Sequence, residues 1–334
     1  MRSPPVSEPD EQTAPDPEGL SECFSDTRMV SIETLRALQK KSNGPGAARL
    51  LAQSIGYVAA GVTLVVADQT WLVAAAFVVS AVFQFAFFGM LHEACHFTAF
   101  ASRRLNVLAG WVAALAQPMS PALMRAFHYE HHRFTHQLDR DPELAQMPFM
   151  VRWPPHVMWL VTMTGLPIVA ARFGWTLFAA VVPAGRAWDK VLPFVRPAQR
   201  RAIAWEARGL ALIHGSAMVA ATLWLPELWR VYAALVVGHA ILSFYITCEH
   251  RGLPTEGTIL ERTRSLQTPA WMRWLLWNMP YHAEHHGWPA VPFHALPKLH
   301  ETVREHLVHR VSPAYLHTHG GREPTSEAPS RSSG

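Results

Sequence analysis

Cysteine and charged residues are both scarce in this sequence. Its 334 residues include only three cysteines, Cys23, Cys95 and Cys248, and their spacing suggests no pair. Three thiols are too few for the four thiolates of an ordinary iron–sulfur cluster, and their spacing fits a reducing compartment. Asp, Glu, Lys and Arg make up only 16% of the chain, and no basic stripe with interleaved aromatic residues occurs. Despite the net charge of +4, nucleic acid is therefore not an expected partner.

Long apolar segments, in contrast, are abundant. Half of the residues are hydrophobic, and four long segments contain no acidic residue: 50–67, 70–91, 207–225 and 228–247. Each approaches the roughly 20 apolar residues that cross a bilayer core. A soluble domain would have to bury all four segments in one core, so we favour membrane spans.

The cations around these segments predict their orientation. The two short connections, 68–69 and 226–227, contain no Lys or Arg, whereas the flanking stretches contain many. The positive-inside tendency then directs both hairpin turns outward and the other connections to the cytosol, against anionic membrane lipids. The predicted fold class is an all-α membrane protein with four transmembrane helices in two hairpins and a cytosolic helical cap.

The remaining regions are less regular. Residues 1–27 and 320–334 have polar, low-complexity compositions and are predicted to be disordered tails, which leaves a membrane domain over 28–319. The first tail lacks the basic and apolar parts of a signal peptide, so we expect the first span to direct insertion. The apolar segment 105–117 is too short to span and predicts a re-entrant or interfacial helix, and the interrupted segment 155–183 predicts helices on the cytosolic face.

Three clusters of histidine lie beyond the ends of the apolar segments. The first has the spacing His-x-x-x-His, which on a helix puts two imidazoles on one face about 6 Å apart. The other two have the form His-x-x-His-His, in which one histidine lies a helical turn from an adjacent pair, so one short motif can serve two metal ions. The clusters are His92 and His96; His128, His131 and His132; and His282, His285 and His286.

These clusters predict a site for two metal ions. Packing gains nothing from crowded imidazoles, which repel one another when protonated, whereas neutral imidazoles are common metal ligands. Eight imidazoles exceed the three or four protein ligands of a tetrahedral zinc ion, so two ions are implied. Imidazole binds iron, zinc, copper and nickel alike, and the spacing alone does not identify the metal.

The order of the three clusters resembles the histidine boxes of the membrane fatty acid desaturase and hydroxylase family, over roughly residues 50–300. The segments Asp141-Pro142-Glu143 and Asn278-Met279-Pro280-Tyr281 extend the resemblance. It implies a four-span bundle, two iron ions at the cytosolic side, O2 as co-substrate and an external electron donor of the ferredoxin or cytochrome type. It also implies an apolar acyl or lipid substrate, and we expect a multi-pass enzyme of a bacterial inner membrane.

The resemblance also implies a ninth ligand. The family usually has a further histidine before the third box, and His250, just past the fourth span, lies in the matching region. His136 stands where the family often has Asn or an acid, and it is either a ligand or a neighbour of one. Asn278 is a candidate to hold a metal-bound water. The acids beside the boxes, expected to accept imidazole N–H groups rather than to bind metal, are Glu93, Glu130, Glu249 and Glu284.

Polar faces on the second and fourth spans predict the walls of a substrate channel, because polar groups in a bilayer helix normally face the bundle interior. For His239 a hydrogen bond between helices is an equally open alternative. The two faces are Ser80, Gln84, Phe88, His92 and His96, and His239, Ser243, Thr247 and His250.

Removing hydrogen from an unactivated C–H bond is beyond any side-chain acid or base, but a metal pair that activates O2 can do it. We expect a desaturase, with a hydroxylase or ketolase acting on a lipid, carotenoid or other apolar substrate as the alternative that the ligand set leaves open. A membrane zinc hydrolase and a metal-binding membrane protein without catalysis are the other two alternatives.

Overall fold

The computed structural model of the protein describes residues 29–145, 151–153 and 156–323, which are mostly α-helical. The helices of this part are α1 (Ile32–Leu38), α2 (Gly44–Val66), α3 (Thr70–Cys95), α4 (Arg103–Ala116), α5 (Pro121–Phe134), α6 (Pro142–Ala145), α7 (His156–Met163), α8 (Leu166–Val181), α9 (Arg186–Val191), α10 (Pro197–Leu223), α11 (Leu228–His250), α12 (Ala270–Leu275), α13 (His282–Gly287), α14 (Leu296–Val303) and α15 (Pro313–Thr318). Two short strands, β1 (Ser265–Leu266) and β2 (Arg310–Val311), pair in parallel. The predicted all-α membrane class is confirmed.

Three helices in the described ranges are long and apolar enough to cross a membrane: α2, α3 and α11. They contain the predicted spans 70–91 and 228–247, and all of 50–67 except Ala67. The fourth predicted span, 207–225, falls mostly within α10, which is long enough to cross but is less apolar because of charged residues such as Arg208. The pairs α4 with α5 and α7 with α8, bent by 96° and 57°, can each form a broken span or a re-entrant loop, so length and composition give three to five spans.

Helix α3 lies at the centre of the domain, between α2 and α11. Gly238 of α11 permits a close approach, because a β-carbon there would lie 2.8 Å from the backbone oxygen of Ala81 in α3 and would also meet the side chain of Gln84. Helix α10 packs mainly against α8 rather than against α11, its partner in the predicted hairpin. This packing brings the C-terminal ends of α3 and α11 side by side.

Replacing Gly238 by alanine is expected to destabilise the protein by roughly 1 to 3 kcal/mol, the usual cost of overpacking. The added methyl group would press on the backbone oxygen of Ala81 and on the first two side-chain carbons of Gln84, which move less readily than the far end of a flexible side chain. The thermal unfolding midpoint of the detergent-solubilised protein measures the effect. Gly61→Ala in α2 is the matched control, since its β-carbon would meet nothing within 4 Å. Equal midpoints for the two variants would contradict the close contact.

The predicted tails lie mostly outside the described residues. No residue of 1–27 is among the described residues, and of 320–334 only residues 320–323 are. In this short stretch the Glu323 carboxylate accepts hydrogen bonds from Arg264 Nε at 2.5 Å and from His309 Nδ1 at 2.8 Å. Residues up to 323 therefore contact the membrane domain.

Candidate metal centre

Four helices bring the predicted histidines together. Helix α3 leads into the first cluster, α5 carries the second, α11 ends at His250, and α13 carries the third. Helix α5 begins with a hydrogen-bonded cap, in which Ser120 Oγ accepts the N–H of Leu123 at 3.0 Å, and with Pro121 at its first position. All nine predicted histidines are buried.

The nine histidines form two groups, here called site 1 and site 2. Within each site, one nitrogen atom from every ring lies within 4.8 Å of all the others. The second and third clusters each contribute to both sites, so that the sequence neighbours His131 and His132 belong to different ones. Site 1 consists of His92, His96, His128, His132 and His285, and site 2 consists of His131, His250, His282 and His286.

Ring nitrogens within each site approach as closely as ligands of one ion do. The Nε2 atom of His132 lies 2.9 Å from that of His128 and 3.1 Å from that of His285. In site 2, the Nε2 atoms of His250 and His282 are 2.8 Å apart. Imidazole nitrogens bound at about 2.1 Å to a common ion are separated by roughly 3 to 3.5 Å, so this spacing suits metal coordination.

Unpaired buried nitrogens test whether a metal fits. Both ring nitrogens of His92 and of His96, and Nε2 of His286, are enclosed by protein and have no hydrogen-bond partner within the described residues. A buried polar atom without a partner is costly, and structures normally satisfy it. One nitrogen of each of these rings lies within 4.8 Å of a nitrogen from every other ring of its site, so the residues present fit metal ions in both sites.

Hydrogen bonds orient the rings of site 2. The Nδ1–H of His250 donates to the carbonyl oxygen of Arg262 at 2.9 Å, and that of His286 donates to Thr135 Oγ1 at 3.1 Å. Thr135 in turn donates to the carbonyl oxygen of His131 at 2.9 Å. These bonds fix the tautomer that leaves each Nε2 free, as is typical of metal-binding histidines.

Asp141 orients the third ring of site 2, a role that was not predicted from the sequence. Both of its carboxylate oxygens lie 3.0 Å from His131 Nδ1. The carboxylate also accepts the backbone N–H groups of His136 at 2.7 Å and of Glu143 at 2.9 Å, so its own position is fixed. The only sequence signal for this role was the segment that starts at Asp141 and resembles the family.

The four acids expected beside the imidazoles divide into two pairs. Glu93 and Glu249 lie 3.5 Å from Nδ1 of His92 and of His282, respectively. The other pair differs from the expectation, because these side chains contact other partners. Glu130 is bound by Arg133 at 2.9 Å and by Arg196 at 3.2 Å, and Glu284 is bound by Ser265 and by His300 of α14.

His136 and Asn278 lie outside both sites. His136 has a left-handed backbone with φ of 60°, and its Nδ1–H donates to the carbonyl oxygen of Pro254 at 2.8 Å. Asn278 has the same φ, and its Nδ2 donates to the carbonyl oxygen of Phe293 at 2.8 Å. The Asn278 side chain is thus engaged with backbone, whereas the His136 ring also stacks on His250 with a centroid distance of 6.1 Å.

Burial keeps the imidazoles of α13 neutral. Removal from water, reinforced by the neighbouring histidines, lowers the pKa of His285 and of His286 well below the ordinary value of 6.5. A neutral imidazole is the form that binds a metal ion. These two rings can therefore accept metal at neutral pH without first losing a proton.

An apolar cavity of about 130 Å³ adjoins both sites. Its histidine wall includes His92 and His128 of site 1 and three members of site 2, and most of its remaining wall is hydrophobic. The predicted channel faces are only partly found here, because Phe88, His92 and His250 line the cavity while the other polar members of both faces do not. The hydrophobic part of the wall includes Phe88, Met119, Met124, Phe127, Trp175 and Met279.

An α-helical membrane domain that gathers nine buried histidines into two groups beside an apolar cavity defines an integral membrane metalloprotein. The model of the fatty acid desaturase family matches residues 69–318, most of the chain, and the protein belongs to this family. It is 24% identical over 258 residues to the Delta(5) fatty acid desaturase fat-4 of Caenorhabditis elegans. That alignment covers 65% of this chain and 54% of the relative, so the chain spans about half the length of the curated protein it matches.

Proposed function

We propose that the protein is an O2-dependent di-iron oxidoreductase that desaturates a fatty acyl chain or lipid at the membrane. The observation that carries the proposal is the opening of both histidine groups onto one apolar cavity, in a chain of the fatty acid desaturase family. The relative from Caenorhabditis elegans is named as a fatty acid desaturase, which supports the same reaction class.

The nine histidines of sites 1 and 2 are the proposed metal ligands, with one iron ion in each site. Purely imidazole sites accept several metals, and the choice of iron rests on the reaction. Two iron ions bound there supply the reductive activation of O2 that breaking an unactivated C–H bond requires.

The protein's own residues then hold the reacting groups in place. The bonds from His250 to Arg262 and from His131 to Asp141 keep their Nε2 atoms directed into site 2. The hydrophobic wall of the cavity binds hydrocarbon and excludes water, so the acyl chain is held against the histidine groups in dry surroundings.

An external electron donor of the ferredoxin or cytochrome type completes the proposed reaction. A basic surface near the first histidine cluster supports this. Its cations come from the segment before α2 and from the start of α4, which are held together by a 3.0 Å hydrogen bond from the Ser102 N–H to Asn43 Oδ1. Opposite charge on a small redox partner would guide its docking. The exposed cations of this surface are Lys40, Lys41, Arg103 and Arg104.

The active site is proposed to face the cytosol of a bacterial cell, with the protein in the inner membrane. The support is the distribution of cations, which flank the apolar segments but are absent from the connections at 68–69 and 226–227. Anionic lipids of the cytosolic leaflet would bind the same cations.

Mass spectrometry of lipids tests the reaction. The chain is expressed with a ferredoxin and its reductase, and we expect acyl chains that have lost two hydrogens, only when O2 is present. Metal analysis of the purified protein is expected to give two irons per chain. The matched control is His285→Ala, which should produce no change in the lipids.

Other outcomes identify the alternatives. A product that gains one oxygen atom would indicate a hydroxylase, and a carbonyl product would indicate a ketolase. One zinc ion per chain, with activity that persists without O2, would contradict the proposal and support a hydrolase. Bound metal with no change in any lipid would leave a metal-binding protein without this activity.

A further inference from the structure

Arg172 of α8 is a buried cation within the membrane domain that lies apart from both histidine groups. Only 7% of its surface is exposed, and it lines the apolar cavity that leads to sites 1 and 2. No Asp or Glu carboxylate forms an ion pair with it among the residues that the structure describes. An ionised group in such surroundings normally has a counter-charge or a functional role.

Two neutral acceptors hold one end of the guanidinium. Nη1 donates to Gln117 Oε1 and to Nε2 of His239, the latter at 3.1 Å. The His239 tautomer is fixed, because its Nδ1–H donates to the carbonyl oxygen of Leu235 at 2.9 Å. The Gln117 amide is fixed as well, since its Nε2 donates to the carbonyl oxygen of Gln84 at 2.5 Å. Neither neighbour carries a negative charge.

The remaining donors form a fork. A guanidinium has five N–H groups, and these two bonds use the pair on Nη1. The Nε–H and the Nη2–H groups have no acceptor within the described ranges, and neither nitrogen is among the enclosed atoms that lack a partner, so both are open to the cavity. Two parallel N–H groups of this kind match the two oxygens of a carboxylate.

The position of Arg172 relative to the histidines fits one end of a long molecule. His239, its partner on α11, lies eleven residues before His250 of site 2. At a rise of 1.5 Å per residue, this separation is about 16 Å along the helix axis. Between the two ends the cavity wall is mainly hydrophobic, with Phe88, Met124 and Trp175 among its residues.

We propose that Arg172 binds the carboxylate of a free fatty acid, whose hydrocarbon chain then extends along the cavity toward the histidine groups. This inference rests on the proposed function and specifies its substrate class. The carboxylate supplies the counter-charge that Arg172 lacks and accepts both N–H groups of the fork. A carbon far from the carboxyl end, rather than one next to it, then lies beside sites 1 and 2.

Esterified acyl chains fit this position less well. A thioester or ester carbonyl has no charge and cannot neutralise the guanidinium. The methyl ester of the same fatty acid therefore serves as the comparison ligand in the test.

Binding to the purified full-length protein in neutral phosphatidylcholine nanodiscs tests the proposal without turnover. Equilibrium dialysis with radiolabelled stearate and with methyl stearate gives the two affinities. We expect the wild-type protein to prefer the acid by about tenfold to a hundredfold, the ratio that a charge-assisted pair provides. Arg172→Gln should bind both ligands equally, and Arg172→Lys should keep part of the preference, because it retains the charge but not the fork.

The control is Arg208→Gln in α10, which removes an exposed arginine outside the cavity and should leave the preference unchanged. No preference in the wild-type protein, or an unchanged preference in a folded Arg172→Gln protein, would overturn the proposal. If Arg172→Gln fails to fold, the affinities of the wild-type protein for acid and ester still test whether the cavity prefers a carboxylate. Desaturation of lipids without acid preference would refute this inference alone, whereas acid preference without oxidation of any lipid would refute only the proposed function.

Discussion

Replacing His285 by alanine is expected to abolish turnover and to deplete the purified protein of metal. His285 reaches site 1 from α13, and its ring centroid lies 4.5 Å from that of His92 and 4.8 Å from that of His132. Its loss removes a proposed ligand and leaves a gap between the rings that α3 and α5 contribute to site 1. We expect metal affinity to fall by more than the roughly 10-fold to 100-fold that loss of an outer partner causes.

Two measurements check this result: metal content by mass spectrometry of the purified protein, and conversion of lipids in the expressing host. His306→Ala is the matched control, because His306 is exposed and lies in neither site. It should keep both metal and activity. Full activity of His285→Ala with depleted metal, or normal metal content without activity loss, would remove His285 from the ligand set.

Asp141→Asn should weaken metal binding at site 2 by about 10-fold to 100-fold while the protein stays folded. Asparagine has nearly the shape of aspartate, but it lacks the charge that holds His131 Nδ1–H at 3.0 Å. Its amide nitrogen would also face one of the backbone N–H groups of His136 and Glu143, both of which need an acceptor. His131 would then lose its fixed orientation.

Titration with a competing chelator measures the affinity of this variant. Asp139→Asn is the control, since Asp139 is exposed two residues away. A variant that loses no affinity would show that His131 does not need its partner for binding. A variant that fails to fold would show instead that Asp141 is needed to form the turn after α5, where it accepts two backbone N–H groups.

The sequence was sufficient to select the nine histidines that lie together in the structure, but not to divide them between two groups. Spacing along one helix shows which residues share a face, and the boxes are short enough for that rule to hold. The division depends on where rings from different helices point. His285 meets His92 and His132, whereas its neighbour His286 stacks on His132 at 4.2 Å and joins site 2 through His131 and His250.

The same limit explains the roles that sequence reasoning missed. Asp141 lies ten residues after His131, beyond the end of α5, so no helical period connects them. Glu284 lies within a histidine box, yet its side chain points away from both sites toward His300 in α14. Its position within the box made Glu284 the expected acceptor for an imidazole N–H of the metal site. The acid that contacts such an N–H is instead Asp141, which the turn after α5 brings to His131.

Span number was also only partly accessible from composition. Apart from Ala67, the apolar segments 50–67, 70–91 and 228–247 lie within long helices, as their length predicts. The bend of 96° between α4 and α5 depends on packing around the turn, which hydropathy does not record. The polar residues of both faces are buried, as an interior position requires. His239 binds Arg172, however, and the Gln84 side chain bonds to Tyr57 and to the carbonyl oxygen of Ala116 rather than lining the cavity.

The interleaving of the two sites has a consequence for how metal is loaded. His131 and His132 are adjacent on α5 but belong to different sites, and His285 and His286 on α13 do the same. An ion in either site would therefore immobilise α5 and α13, which also carry ligands of the other site, and the second ion would meet several rings already held in place. Under the proposed function, loading should be cooperative, with molecules that hold a single ion scarce during titration.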